Sequence, residues 1–158
     1  MNRVIASLPD SVEELCVIRL GLMVRKLSGL RFASKFGKAI AQSAIEAKAG
    51  GAGLLDSERF LIRWNHFGFL QYWSSFQSLE AWSHRPPHSV WWREALERMR
   101  QRADFGIYHE TFLVPRQSVE SIYLDCPPVG LGSFGTIGEA VGTSTTSRDR
   151  LGRRPAKG

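Results

Sequence analysis

The chain has 158 residues, enough for one well-filled core and too few for two. It is 43% hydrophobic and 23% charged, an ordinary balance for a soluble globular protein, but five Trp and nine Phe give large apolar surfaces to bury or use. The net charge is +6, of which Thr143–Gly158 carry +4, leaving +2 on a near-neutral body and arguing against a nucleic-acid-binding domain.

In chain order, Met1 to Asp10 lack the charged start and apolar run of a signal peptide. No window reaches the ~18 apolar residues of a membrane span, so a cytoplasmic protein that touches no membrane is expected. Leu15 to Val24 are apolar and β-branched and predict a buried strand, interrupted by Arg19 and Gly21. Cys16 and Cys126 stand alone with no CxxC pair, which reads as two free thiols, with one disulfide as the alternative.

Phe32, Phe36, Ala39, Ile40, Ser43, Ala44 and Ala47 recur at helical spacing and predict an amphipathic helix, stopped by Gly50–Gly53. Two apolar runs follow, Arg59 to Trp64 and Phe69 to Phe76, with Asn65–Gly68 between them as a hairpin turn. Ser78 to Trp82 start a short helix that Pro86 and Pro87 interrupt. A longer helix then places Trp92, Leu96, Met99 and Ala103 on one face.

Gly106 to Val114 predict a strand ended by Pro115, and Ser118 to Cys126 another, ended by Pro127 and Pro128. Beyond these the glycines leave the chain in loops, so residues 1–135 are expected to form the domain and 136–158 a flexible basic tail. The order is ferredoxin-like, βαββαβ with an extra C-terminal strand, an α+β fold with helices on one sheet face. Leu70, Tyr72, Ile107 and Phe112 cannot all lie on that covered face, because side chains alternate along a strand. The other face therefore needs a partner, and a second copy of the chain, giving a homodimeric barrel, is the economical one.

Four histidines are candidates for chemistry. His84 and His88 have the spacing of two metal ligands on a helix, but Pro86 and Pro87 forbid that helix, and no metal is expected. His66 falls in a turn and reads as solvated. His109 lies inside a strand, sharing a face with Ile107, Thr111 and Leu113, while Tyr108, Glu110, Phe112 and Val114 share the other. It is a candidate proton shuttle if its face lines the interior, and a hydrogen-bonding group of sheet or dimer otherwise. Glu110 and Arg19 either line the pocket or form one buried ion pair across the sheet. Gln71, Trp73 and Ser75 share a face that mixes apolar and hydrogen-bonding groups. No GxGxxG directly follows the first strand, and the sequence contains no P-loop and no GxSxG elbow, so dinucleotide, NTP and hydrolase readings lack support.

The segments Tyr72–Trp82 (YWSSFQSLEAW), His88 with Trp91 and Trp92, Ile107–Val114 (IYHETFLV), Glu120–Tyr123 and Pro127–Gly132 (PPVGLG) resemble a small monooxygenase-like family. That family is allied to the antibiotic-biosynthesis monooxygenases, and the likeness covers roughly residues 12 to 135. It implies the dimeric α+β barrel and an oxygenase, whereas relatives of the barrel also include haem-degrading enzymes, cyclases and stress-response binding proteins. More distantly, the segment around His109 is similar to haem-containing aldoxime dehydratases. The chain departs from the family in its glycine run at 49–53 and in Phe112, where the family more often has Tyr.

The resemblance implies a cofactor-independent oxygenase of secondary metabolism acting on an apolar, electron-rich small molecule. His109 and Glu110 are its candidate catalytic groups. Arg19, Gln71, Trp73, Tyr108, Thr111 and Tyr123 are its candidate substrate contacts. The alternatives are a haem enzyme with His109 or His88 as axial ligand, and a non-enzymatic binding dimer whose aromatics serve only the interface.

Overall fold

Alternation along Cys16 to Val24 sets up the sheet: Cys16, Leu22 and Val24 are buried, while Arg19 and Met23 on the opposite parity are half-buried and exposed. The computed structural model describes residues 2–142 and 146–152, which form two compact units.

The unit of Cys16–Phe112 carries the sheet of β2 (Glu14–Val24), β3 (Leu54–Arg63), β4 (His66–Trp73) and β5 (Phe105–Pro115), in the order β3-β4-β2-β5. Around it run α1 (Ser28–Ala49), α2 (Phe76–Ser83) and α3 (His88–Arg102). Counted along this βαββαβ core, the order is second, third, first, fourth, which makes the fold ferredoxin-like α+β. β2 and β3 each pair antiparallel with β4, in registers that bring Cys16 opposite Trp73, Gly21 opposite Gly68 and Phe60 opposite Gly68.

The helices cover one face of this sheet with two apolar clusters. Leu22, Val24, Phe32, Ala33, Ala95 and Phe105 form the first, and Cys16, Ala44, Ala47, Leu54 and Trp73 the second. Residues of β2 belong to both, so the clusters are spaced along the strand. α1 ends in the glycine run, where Gly53 has a φ of +91° and a Cβ would meet Ser78 at 2.6 Å. The glycines at 51 and 53 thus have a local backbone role in the turn into β3.

The hairpin is tighter than its sequence suggests. β3 and β4 are joined by Trp64 and Asn65, and Asn65 is tied to Val24 by Nδ2 donating to the Val24 carbonyl at 3.1 Å. Gly68, expected in the turn, lies inside β4 because its missing side chain makes room there for the backbone of Leu20 and Gly21. The break at Pro86 and Pro87 is as expected, and the bond between them is cis.

The other unit comprises Met1–Leu15 and Leu113–Gly158, with Met1 itself outside the described residues. Its small antiparallel sheet has the order β6-β1-β7, from β1 (Arg3–Ser7), β6 (Tyr123–Leu124) and β7 (Thr136–Glu139). The strand expected over Ser118 to Cys126 shrinks to β6, and Arg116–Ser118 form a 3-10 turn. Ser121 Oγ replaces the missing ladder, accepting from the Ala6 N–H at 2.8 Å and donating to the Ala6 carbonyl at 3.0 Å. Asp125, at a φ of +47°, then turns the chain out of the strand.

The described residues of 136–142 and 146–152 are not wholly loop. β7 pairs with β1, and α4 (Ser147–Arg150) is held by Arg150 Nε donating to Glu120 Oε2 at 2.7 Å. That bond, with a second from Ser147, holds the Glu120 carboxyl below its ordinary pKa. Arg153, Arg154 and Lys157 of the basic tail lie outside the described residues. Among the described residues no helix is long and apolar enough to cross a membrane; Cys16 is buried and Cys126 exposed.

Candidate functional site

Close packing fails where the two clusters part. Ile18 and Leu20 of β2, Phe36 and Ile40 of α1 and Ile107 of β5 wall a cavity of about 500 Å³ on the helix-covered side of the sheet. That volume lies within the range of small-molecule sites. Tryptophans dominate the rest of the wall: Trp73 from β4, Trp82 from α2, and Trp91 and Trp92 from α3, with Phe76 beside them. The polar lining is His84, His88, His109, Gln71, Thr111, Glu80 and the three serines Ser43, Ser83 and Ser89; among the described lining residues there is no Lys or Arg.

Several of these polar groups are already engaged. Trp73 Nε1 donates to Gln71 Oε1 and Gln71 Nε2 to Ser57 Oγ, each at 3.3 Å, and Trp82 Nε1 donates to Ser43 Oγ at 3.1 Å. Trp73 is therefore a core side chain as well as a wall. The imidazoles are less committed. His109 is exposed, meets the Trp92 ring edge-on at 6.2 Å, and no described side chain hydrogen-bonds its ring. His88 is half-buried, and that burial lowers its pKa against an opposing hydrogen bond to the Ser83 backbone.

The sheet's other face gathers the remaining predicted residues. Gly21 and Gly68 sit side by side there, and a Cβ on Gly21 would strike the Tyr108 ring at 2.5 Å. Tyr108 fills the trough, with its hydroxyl 2.8 Å from His66 Nε2. Arg19 stacks over two rings, 5.3 Å from the centroid of Phe60 and 5.4 Å from that of Tyr108, and its Nη1 donates to Glu110 Oε2 at 3.0 Å. Burial raises the Tyr108 pKa; the Arg19 charge opposes this and the Glu110 charge adds to it.

The structure thus brings His109, Thr111, Gln71 and Trp73 together on the cavity wall, with Tyr108 touching it while its hydroxyl points to His66. Arg19 and Glu110 pair across the sheet on the opposite face and are absent from the cavity lining; of the two alternatives the ion pair is the one present, and it is part-exposed, at 37% and 50%, rather than buried. Alternation along β5 causes the separation, since His109 and Glu110 are neighbours in sequence. Tyr123 belongs to the other unit, where its hydroxyl donates to the Val129 carbonyl and accepts from the Gly132 N–H, both at 2.8 Å. It thereby clasps the Pro-Pro-x-Gly-Leu-Gly loop. His66, expected to be solvated, is bonded to Tyr108, and its place opposite Met23 in the ladder is what a turn at Asn65–Gly68 had hidden. Among the described residues no group of His, Cys, Asp and Glu could hold a metal ion, so His84 and His88 do not form a centre.

A ferredoxin-like sheet with an aromatic cavity under its helices defines the fold class, α+β. Within it, the chain belongs to the monooxygenase af470-like family, whose model matches residues 15–131. No curated protein matches it. Among solved structures it is similar to an aldoxime dehydratase, OxdRE, in complex with butyraldoxime, at 17% identity and a TM-score of 0.70, over 95% of this chain and 42% of that one. A second aldoxime dehydratase matches at 15% identity and a TM-score of 0.71, over 96% and 44%. A conserved Bacteroides thetaiotaomicron protein of unknown function, a possible oxidoreductase, matches at 12% and 0.51, over 65% and 99%. The chain spans less than half the length of the dehydratases, and at these identities the likeness is one of fold.

Proposed function

We propose that this chain is a cofactor-independent oxygenase that holds an uncharged, apolar, electron-rich metabolite in the aromatic cavity. The observation that carries the reading is an imidazole, His109, on the wall of a tryptophan-lined cavity with no described side chain bonded to its ring. Such walls exclude water and strengthen electrostatic interactions within. His109 takes a proton from the substrate, leaving an electron pair on a carbanion. One electron passes to O₂, and the resulting radical pair combines into a C–O–O bond. The imidazolium returns its proton to the peroxide, and loss of water with a second substrate proton leaves a carbonyl. One O₂ is consumed, one of its atoms enters the product and the other leaves as water.

Gln71, Trp73 and Thr111 contact the substrate from the sheet, and the Tyr108 ring supports that wall from behind. Glu110 and Arg19, on the other face, are assigned no step, and Tyr123 serves its own loop. That other face supports a second part of the reading: a homodimer. Met23 and Phe112 stand 43% and 51% exposed on it, beside Phe60 and Leu70, and a second copy of the chain is the occupant that buries them.

Haem is the cofactor that the resemblance to aldoxime dehydratases implies. The lining offers imidazole nitrogens for the iron and aromatic walls for the macrocycle, but no described Lys or Arg of the lining meets two propionate carboxylates. The residues fit one half of the group and not the other, and no step is routed through it.

The test is turnover of electron-rich phenols by the metal-stripped protein under heavy-isotope O₂. The reading requires one labelled oxygen in the product without added cofactor. A strict requirement for haem, flavin or metal overturns it.

A further inference from the structure

The three imidazoles on the cavity wall differ in surroundings. His84 caps α2 and is exposed, as is His109 on β5. His88 opens α3, is half-buried, and its ring hydrogen-bonds the Ser83 backbone. Burial there lowers the pKa, so the ring is neutral at neutral pH. A neutral imidazole has one N–H and one bare nitrogen. The Ser83 backbone bond engages one ring nitrogen and opposes the effect of burial, and the other nitrogen is left for a ligand.

The rest of the lining narrows what that nitrogen can meet. Its other charged side chain is a carboxylate, Glu80, and among the described lining residues no Lys or Arg would hold an anion. The Trp73 and Trp82 indole N–H groups are already donated to Gln71 and Ser43.

We propose that His88 sets the specificity of the cavity by accepting a hydrogen bond from a hydroxyl on an otherwise apolar, uncharged ligand. This rests on the reading of the cavity as the substrate site and adds the substrate's chemical class: an aromatic or alicyclic alcohol or phenol, and not a carboxylate, phosphate or fully methylated ether. A site built to bond a hydroxyl rejects the analogue that lacks it, because the acceptor is then buried without a partner.

The probes are β-naphthol and its methyl ether, titrated into the full chain and followed by quenching of tryptophan fluorescence. The wild type is expected to bind the naphthol about tenfold more tightly than the ether, the worth of one hydrogen bond in a water-poor site. His88→Leu should bind both alike, with its hold on the ether unchanged, and His88→Gln, which keeps an acceptor, should recover part of the preference. His88→Phe serves as the second apolar variant if His88→Leu does not fold. An undiminished preference in either apolar variant, or equal wild-type binding of the two probes, overturns the role of His88 and leaves the cavity reading standing. Failure of the wild type to bind either probe overturns the cavity reading and this proposal with it.

Discussion

Asp104 and Arg98 form a contact of 2.7 Å between Oδ2 and Nη2, with 1% of the Asp104 side chain and 25% of the Arg98 side chain exposed. The same carboxylate oxygen accepts from Ser28 Oγ at 3.0 Å, and the Asp104 carbonyl accepts the N–H groups of Arg25 and Lys26. One residue therefore joins the end of α3, the start of α1 and the start of β5. Burial pushes the Asp104 carboxyl up, but the bonds from Arg98 and Ser28 and the Arg98 charge outweigh it and hold the pKa below its ordinary value.

A pH dependence follows with a definite sign. A carboxyl whose folded pKa is depressed contributes stability above its unfolded pKa and loses it as pH falls through the folded value. Asp104→Asn should lower the melting temperature by several degrees at neutral pH. Its gap from the wild type should close in acid, below the ordinary carboxylate range. Thermal melts of both proteins across that range check this, and a gap constant with pH contradicts it.

The glycine pair at 21 and 68 makes a second prediction. A Cβ on Gly68 would lie 2.1 Å from the Leu20 carbonyl oxygen and 2.7 Å from the Gly21 Cα, both backbone atoms with nowhere to go. Gly68→Ala should destabilise by about 3 kcal/mol or more, at the top of the overpacking range. Tyr108→Phe removes only the bond to His66 and should lose about 1 kcal/mol. Urea melts measure both.

Local sequence rules were enough for the βαββαβ order, because α1 keeps helical spacing and β2, β4 and β5 are rich in β-branched, aromatic and other apolar residues. They failed where long-range contacts decide. β1 and β7 are short and hold each other, and nothing local in Thr136–Glu139 announces a strand. Gly68 reads as a turn residue until Gly21 is placed beside it. The site was legible in part: alternation put His109 and Thr111 on one face, and the structure places that face under the helices. Alternation also splits Glu110 from His109, but only the register shows Arg19 waiting for it on the far side. The gathering of Trp82, His88 and Trp92 depends on how α2 and α3 pack, which no periodicity encodes.

Ala103 ends α3 at a φ of +46°, in the left-handed region, with its N–H on the Met99 carbonyl at 3.1 Å. A non-glycine residue there is held at a cost of about 1 kcal/mol. Ala103→Gly should stabilise by about that amount, raising the melting temperature by roughly 2–4 °C for a chain of this size. Differential scanning calorimetry reads it.

Arg19 and Glu110 offer a control for the chemistry. Their ion pair is part-exposed, and such pairs contribute about 0–1 kcal/mol. Glu110→Gln should leave stability nearly unchanged and turnover unchanged. His109→Ala should slow turnover by about 10²–10⁴-fold, the range for losing a positioned general base. Steady-state rates of the two variants on one substrate separate the faces of β5.

The central claim is that a small molecule occupies the void between the two apolar clusters. Leu20 lines that void from β2, and a larger side chain there fills it while leaving the open face untouched. Native mass spectrometry of the wild type with β-naphthol should show one bound molecule per chain, lost in a folded Leu20→Trp variant. Equal occupancy in both proteins places the ligand elsewhere and contradicts the account.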